Sequence, residues 1–252
     1  MKILLTNDDG YRAPGILAMY RALIPDHQVV LAAPDREKSA IGHGITLNQP
    51  LRIDRVDLNG IGSGEKGYAI SGTPADCVKL GLYELCDETP DLVISGINAG
   101  SNTGVNINYS GTAGAAREAA LNGLTSLAVS IQYGDVMDFK GMAAYVLSQL
   151  DRVRAQDLPS GTFLNINGPC IPMDQVEGVR ITRQADNNLA NTFETRTDPR
   201  KKTYFWYGGM DAVTPGQDTD NHALLDHCIS ITPIQCDMTA YPAMDMLGKA
   251  GF

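Results

Sequence analysis

At 252 residues the chain is long enough to bury a large core as one domain, or as one domain with an appendage. Its hydrophobic fraction of 43% is that of a folded globule. A net charge of −9, with no long run of Lys or Arg, argues against a nucleic-acid duplex or an anionic membrane as partner surface.

The chain opens on an apolar run too short for a helix, Ile3 to Leu5, followed by Thr6-Asn7-Asp8-Asp9-Gly10. That pattern predicts a buried strand ending in a turn. Two adjacent carboxylates repel each other, and in a turn both can converge on one cation; oxygen donors of that kind suit Mg²⁺ or Mn²⁺. Turn-making or helix capping by Asp8 and Asp9 is the competing use. The apolar run is cut off by two acids, so no signal peptide is expected, and no apolar stretch is long enough to cross a membrane.

A first helix is predicted over Pro14 to Leu23, with Ile16, Leu17, Tyr20 and Leu23 at helical spacing. Val29 to Ala32 reads as a second buried strand, and Ala33 to Gly44 as a polar loop containing Ser39, Gly42 and His43. Ile45 to Val56 alternates and predicts strand, and Tyr68 to Ile70 another. Thr73 caps a helix that begins with Pro74 and runs to about Cys86. Leu92 to Ile94 predicts a strand, followed by a Gly/Asn/Ser-rich loop from Ser95 to Gly104 that holds Asn98. Tyr109-Ser110-Gly111-Thr112 leads into an Ala-rich helix ending near Gly123. Leu127 to Ile131 and Phe163 to Ile166 read as strands, and Met137 to Leu150 as an amphipathic helix.

Strands alternating with helices predict an α/β fold with a mainly parallel sheet and helices on both faces. Residues 1–175 form the expected core, and 176–252 a C-terminal part. Gln184 to Asp220 is polar and too long for a simple loop, so it predicts protruding hairpins, with an aromatic strand at Tyr204 to Tyr207 and a basic cluster at Arg200-Lys201-Lys202. Ile229 to Ile234 reads as a return strand. The Met-rich tail from Met238 to Phe252 is expected to pack on the core or a neighbouring subunit. Cys77, Cys86, Cys170, Cys228 and Cys236 are odd in number and lack any Cys-x-x-Cys, which predicts reduced thiols in the cytoplasm and argues against zinc.

In a parallel sheet every loop after a strand emerges at the same carboxyl edge. Asp8 and Asp9, Ser39 and Asn98 therefore gather there, and so do helix starts at Thr73 and Thr112 whose free N–H groups favour an anion. Hard oxygen donors for a cation beside N–H donors for an anion are the parts of a metal-assisted phosphate site.

Six segments strengthen this reading: Ile3-to-Gly10, Ala33-to-Leu47, Ser71-to-Leu80, Ser95-to-Gly104, Tyr109-to-Glu118 and Ile229-to-Thr239. Together they resemble the SurE (survival protein E) family of metal-dependent 5′-nucleotidases. The resemblance implies a Rossmann-like core and one divalent ion per subunit, Mg²⁺ or Mn²⁺, held by Asp8, Asp9, Ser39 and Asn98. It also implies hydrolysis of nucleoside monophosphates and assembly into homodimers or homotetramers through the C-terminal part. Val105-Asn106-Ile107-Asn108 stands where many relatives carry acidic residues, so a carboxylate role there does not carry over.

Asp8 and Asp9 are the catalytic candidates, orienting or deprotonating the attacking water; Asp8 as a nucleophile is the less favoured variant. Asn7, Gly42, His43, Ser110, Gly111 and Thr112 are the candidate phosphate and substrate contacts. Asn7 also suits turn support, Ser110 to Thr112 a helix cap, and His43 either a catalytic acid or, as with most loop histidines, a structural role. His222 and His227 lack helical metal spacing. Lys79 reads as a solvated charge. A nucleotide sensor without turnover is the main competing function, and a phosphorylatable receiver a weaker one.

Overall fold

The computed structural model describes residues 1–58, 66–186, 192–208 and 216–251. Eleven strands and six α-helices are present among them. Nine strands form one sheet in the order β3-β4-β2-β1-β5-β6-β7-β11-β8. These are β1 (Lys2–Thr6), β2 (Gln28–Pro34), β3 (Ile53–Asp57), β4 (Lys66–Ile70), β5 (Leu92–Ala99), β6 (Ser126–Ile131), β7 (Thr162–Gly168), β8 (Gly178–Ile181) and β11 (Cys228–Gln235). Strands β4, β2, β1, β5, β6 and β7 are mutually parallel, and in chain order they run 3-2-1-4-5-6 across the sheet. That is the doubly wound α/β arrangement, whose order reverses between the first and fourth parallel strands, here β1 and β5. The edge strand β3 is antiparallel to β4, and β11 is antiparallel to β7.

Side chains alternate along β1 and so feed two cores. Ile3 and Leu5 pack with Ile16, Met19 and Leu23 of α1 (Pro14–Leu23) and with Met142, Val146 and Leu150 of α4 (Phe139–Arg154). Leu4 points to the other face, among Cys77 and Val78 of α2 (Pro74–Leu80) and Ala115 and Ala119 of α3 (Gly111–Leu121). The small residues of α3 let it lie close to the sheet, and its buried side includes Gly111, Thr112, Gly114, Ala115 and Glu118.

Several sequence expectations need correction. The run from Ile45 to Val56 forms strand only from Ile53 onward, because Ile45 and Leu47 are exposed and have no strand to pair with among the described residues. Helix α2 ends at Leu80 and passes into a π-helical turn, Gly81–Leu85, before Cys86. Strand β5 does not stop at Ile94. It continues to Ala99, and Asn98 and Ala99 pair with Ser130 and Ile131 of β6 after a register shift. Strand β8, unforeseen in the sequence, pairs parallel with β11 at the sheet edge.

The hairpin expected between Gln184 and Asp220 exists as β9 (Phe193–Thr197) and β10 (Thr203–Tyr207), paired antiparallel and exposed throughout. Residues 187–191 and 209–215 of that stretch lie outside the described residues, as does Phe252 of the tail. The tail forms α6 (Tyr241–Lys249), none of whose residues is buried. The root of the hairpin is tied to the core by α5 (Asp220–Leu225). There the buried Asp220 carboxylate accepts from the N–H groups of Gly104 and Ala185.

Candidate active site

The strand order reverses between the paired strands β1 and β5, and the turn after β1 lies at their carboxyl ends, where ligands bind in such sheets. Asn7 shapes the turn. Its amide donates to Gly10 O at 3.0 Å and accepts from Gly10 N at 3.2 Å, and Gly10 takes a φ of +97° that a side chain would resist. Asn7 is fully buried with both amide ends used, so it holds the turn rather than facing a ligand.

Asp8 is 5% exposed. The Thr112 hydroxyl donates to its Oδ1 at 2.5 Å, and its backbone carbonyl accepts from Lys38 N at 2.7 Å, next to Ser39. Asp9 Oδ2 accepts from Ala99 N at 3.4 Å, next to Asn98. Each expected ligand on another loop thus has its chain neighbour hydrogen-bonded to the acid pair. Burial pushes the Asp8 carboxyl up to about 6, against the lowering effect of the Thr112 hydroxyl and with the charge of Asp9 adding to the rise. Burial also raises Asp9, opposed by the Ala99 N–H and assisted by Glu37. Among the described residues neither carboxylate forms an ion pair with Lys, Arg or His.

A divalent cation fits this arrangement. Two carboxylates, one of them deeply buried, lack positive partners, and a cation would lower both pKa values. Asn98 donates its amide N–H to Gly100 O at 2.7 Å, and its amide oxygen has no protein partner among the described residues. Ser39 is exposed and donates its hydroxyl hydrogen to Glu37 at 2.6 Å, which leaves its oxygen lone pairs available. The donor set is all oxygen, which suits Mg²⁺ or Mn²⁺. Among the described residues no three His, Cys, Asp or Glu side chains cluster as a metal site.

The expected anion side lies at the start of α3. Ser110 is its N-cap and accepts from Ala113 N at 3.0 Å. Gly111 must be glycine, because a Cβ there would stand 2.8 Å from Asp8 Cβ and 2.9 Å from Asp8 Oδ2. Gly114 must be small as well, because a Cβ would meet Gly42 O at 2.5 Å and His43 Cα at 3.1 Å. The loop carrying Gly42 and His43 is thereby seated on the same helix, and Gly42 N donates to Tyr109 O at 2.8 Å.

The expected anion site at Thr73 is not formed in the same way. The first turn of α2 is closed by its own capping box between Thr73 and Asp76, and Asp76 also accepts from Thr46 N. Lys79 is not simply solvated, since its ammonium lies 2.8 Å from Glu118 Oε1. Glu118 was overlooked in the sequence; an acid within an otherwise Ala-rich helix face was the available signal. His222 pairs with Asp226 at 3.4 Å, outside this site.

Comparison with known proteins identifies the family. The family model for survival protein SurE matches residues 3–191. The 5′-nucleotidase SurE of Desulfatibacillum aliphaticivorans is 48% identical over 249 residues, covering 98% of this chain and 97% of the relative. The 5′-nucleotidase SurE of Syntrophobacter fumaroxidans is 45% identical over 250 residues, covering 99% of each. A crystal structure of the SurE protein from Aquifex aeolicus superposes with a TM-score of 0.85 at 34% identity, over the whole of both chains. A matched family model over most of the chain, full-length relatives and a shared fold place this chain in the SurE family.

Proposed function

We propose that the chain is a 5′-nucleotidase, hydrolysing nucleoside 5′-monophosphates to nucleoside and phosphate with the aid of one Mg²⁺ or Mn²⁺ ion. The names of its relatives, at 42–48% identity over nearly the full chain, support the activity. The observation that carries the chemistry is the Asp8–Asp9 pair, with Asp8 buried beneath the N-terminus of α3 and neither acid paired with a cation among the described residues.

In this reading Asp8, Asp9, Ser39 and Asn98 hold the ion. When bound, the ion polarises a phosphoryl oxygen and makes a water acidic enough to attack. Asp9 is the less buried of the two acids and takes up the attacking water's proton, while Thr112 keeps Asp8 in one orientation. Gly42, Ser110 and Gly111 line the phosphate side, where the first N–H groups of α3 stabilise charge on the equatorial oxygens.

Five free cysteines support a reducing, cytoplasmic setting. The exposed rings of Phe205, Trp206 and Tyr207 and the uncovered α6 support residues 176–252 as the assembly segment of a homodimer or homotetramer. The test is a phosphate-release panel over nucleoside 5′- and 3′-monophosphates and short polyphosphate, with Mg²⁺, Mn²⁺ or EDTA. Release from 5′-monophosphates that EDTA abolishes is the expected result. Tight nucleotide binding without release would make the chain a sensor instead.

A further inference from the structure

Glu118 has no part in the proposed chemistry so far, yet its carboxylate holds three side-chain partners beside it. Its side chain is only 7% exposed. Its Oε2 lies 2.8 Å from His43 Nε2, and its Oε1 accepts from Lys79 Nζ at 2.8 Å and Asn122 Nδ2 at 3.0 Å. The His43 contact, opposed by burial and helped by Lys79, holds the Glu118 carboxyl down at about 2. The other titratable groups around this trio, Asp76 on α2 and Tyr83 in the turn after it, act on Lys79.

A fixed carboxylate on one ring nitrogen decides what the other can do. Glu118 keeps the hydrogen of His43 on Nε2, leaving Nδ1 to gain or give a proton. The ring itself is 23% exposed, so it is open to a ligand. Its position relative to the acid pair follows from α3. A Cβ on Gly111 would meet Asp8 and one on Gly114 would meet the Gly42–His43 backbone, and residues three apart on a helix share a face about 5–6 Å apart. The turn with Asp8 and the loop with His43 are therefore seated side by side on one helical turn.

We propose that His43 protonates the departing 5′-oxygen, with Glu118, braced by Lys79, as its positioning residue. The proposal rests on the phosphomonoesterase reading above. As water oxygen bonds to phosphorus, the P–O5′ bond breaks and its electron pair goes to the sugar oxygen. That oxygen takes the Nδ1 proton, and His43 is left neutral with Nε2–H still on Glu118. The proton lost by the water passes to the acid pair, and His43 is reprotonated from solvent. Such a proton donor accelerates departure of a poor leaving group by about 10²–10⁴-fold.

The test compares AMP, whose sugar alkoxide needs a proton, with p-nitrophenyl phosphate, whose phenolate leaves without one. Steady-state kinetics are measured for wild type, His43→Gln, Glu118→Gln and the double variant with the same divalent ion. His43→Gln is expected to lower the AMP-to-p-nitrophenyl phosphate ratio of kcat by at least about 30-fold, and Glu118→Gln by about 10-fold. The double variant should match His43→Gln alone. Affinity for inorganic phosphate, read by calorimetry, should stay within about twofold. His43 lies in a half-exposed loop, so its variant keeps the test alive if Glu118→Gln fails to fold. An equal fall on both esters, or a lost affinity for phosphate, overturns the proposal and leaves the nucleotidase reading intact. A wild-type chain that hydrolyses neither ester overturns that reading, and the proposal with it.

Discussion

Replacing Gly111 by Ala places one methyl against the carboxylate on which the site depends. The added Cβ would stand 2.8 Å from Asp8 Cβ and 2.9 Å from its Oδ2, where ordinary contact begins at 3.4 Å. Asp8 or α3 must therefore shift by about 0.6 Å, in a closely packed region that yields little. Displacing a reacting group by about 1 Å costs up to about 10²-fold, so kcat/KM for AMP should fall by about 10- to 100-fold. Stability should change much less. Overpacking costs about 1–3 kcal/mol, and the better helix propensity of Ala returns up to about 1 kcal/mol. At this chain length that is a fall in Tm of up to about 8 °C. The assay is AMP hydrolysis at saturating Mn²⁺ beside a circular-dichroism melt. Gly178→Ala serves as the control, since a Cβ there meets nothing within 4 Å and β8 lies at the far sheet edge. A folded Gly111→Ala protein with kcat/KM within about threefold of wild type would refute the assignment of Asp8 to the reacting centre.

Three further outcomes follow from the same geometry. Asp8→Asn should lower activity by about 10³-fold or more while stabilising the metal-free protein above pH 6. The sign comes from the raised pKa: the folded state binds the extra proton between 3.8 and about 6, so stability falls as pH rises through that window, by about 3 kcal/mol. Urea midpoints against pH, in EDTA, should show this slope in wild type and lose it in Asp8→Asn. Mn²⁺ at about 100 times its Kd should stabilise wild type by about 2.7 kcal/mol, and a thermal-shift assay should find no such gain in Asp8→Asn. Glu118 carries the opposite sign. Its depressed pKa gives up to about 3 kcal/mol of stability that is present above 4.5 and lost as pH falls towards about 2. Glu118→Gln should therefore melt lower than wild type at pH 7, with the gap closing in acid.

What the sequence made legible was whatever depended on local pattern. Ile3 to Leu5 followed by two acids and Gly gave the strand and its turn, and the alternation of strands and helices gave the layered sheet. Patterns without a fixed partner misled. Ile45 and Leu47 alternate as a strand would, but among the described residues no neighbouring strand covers them. Ser95 to Ala99 has the composition of a loop and is strand because β6 supplies the pairing. Strand β8 is only four residues long, with Val179 and Ile181 exposed, so it carries no burial signature. The Lys79–Glu118 pair joins two helices 39 positions apart, and neither residue alone signals the other.

Helix α3 explains why these separately encoded parts hold one geometry. Gly111, Gly114 and Glu118 recur at intervals of three and four, so they form one stripe along it. Any Cβ on its two glycines would meet Asp8 or the Gly42–His43 backbone, and Glu118 contacts the His43 ring. The helix is itself held against the sheet by Ala115 and Ala119, which pack with Leu4 of β1 and Val93 of β5. These are the two strands between which the strand order reverses. The surface that receives the Asp8 turn is thus located by the strand that carries that turn. A shift of α3 would move both contacts at once, so small residues along it serve registration of the site as much as packing of the core.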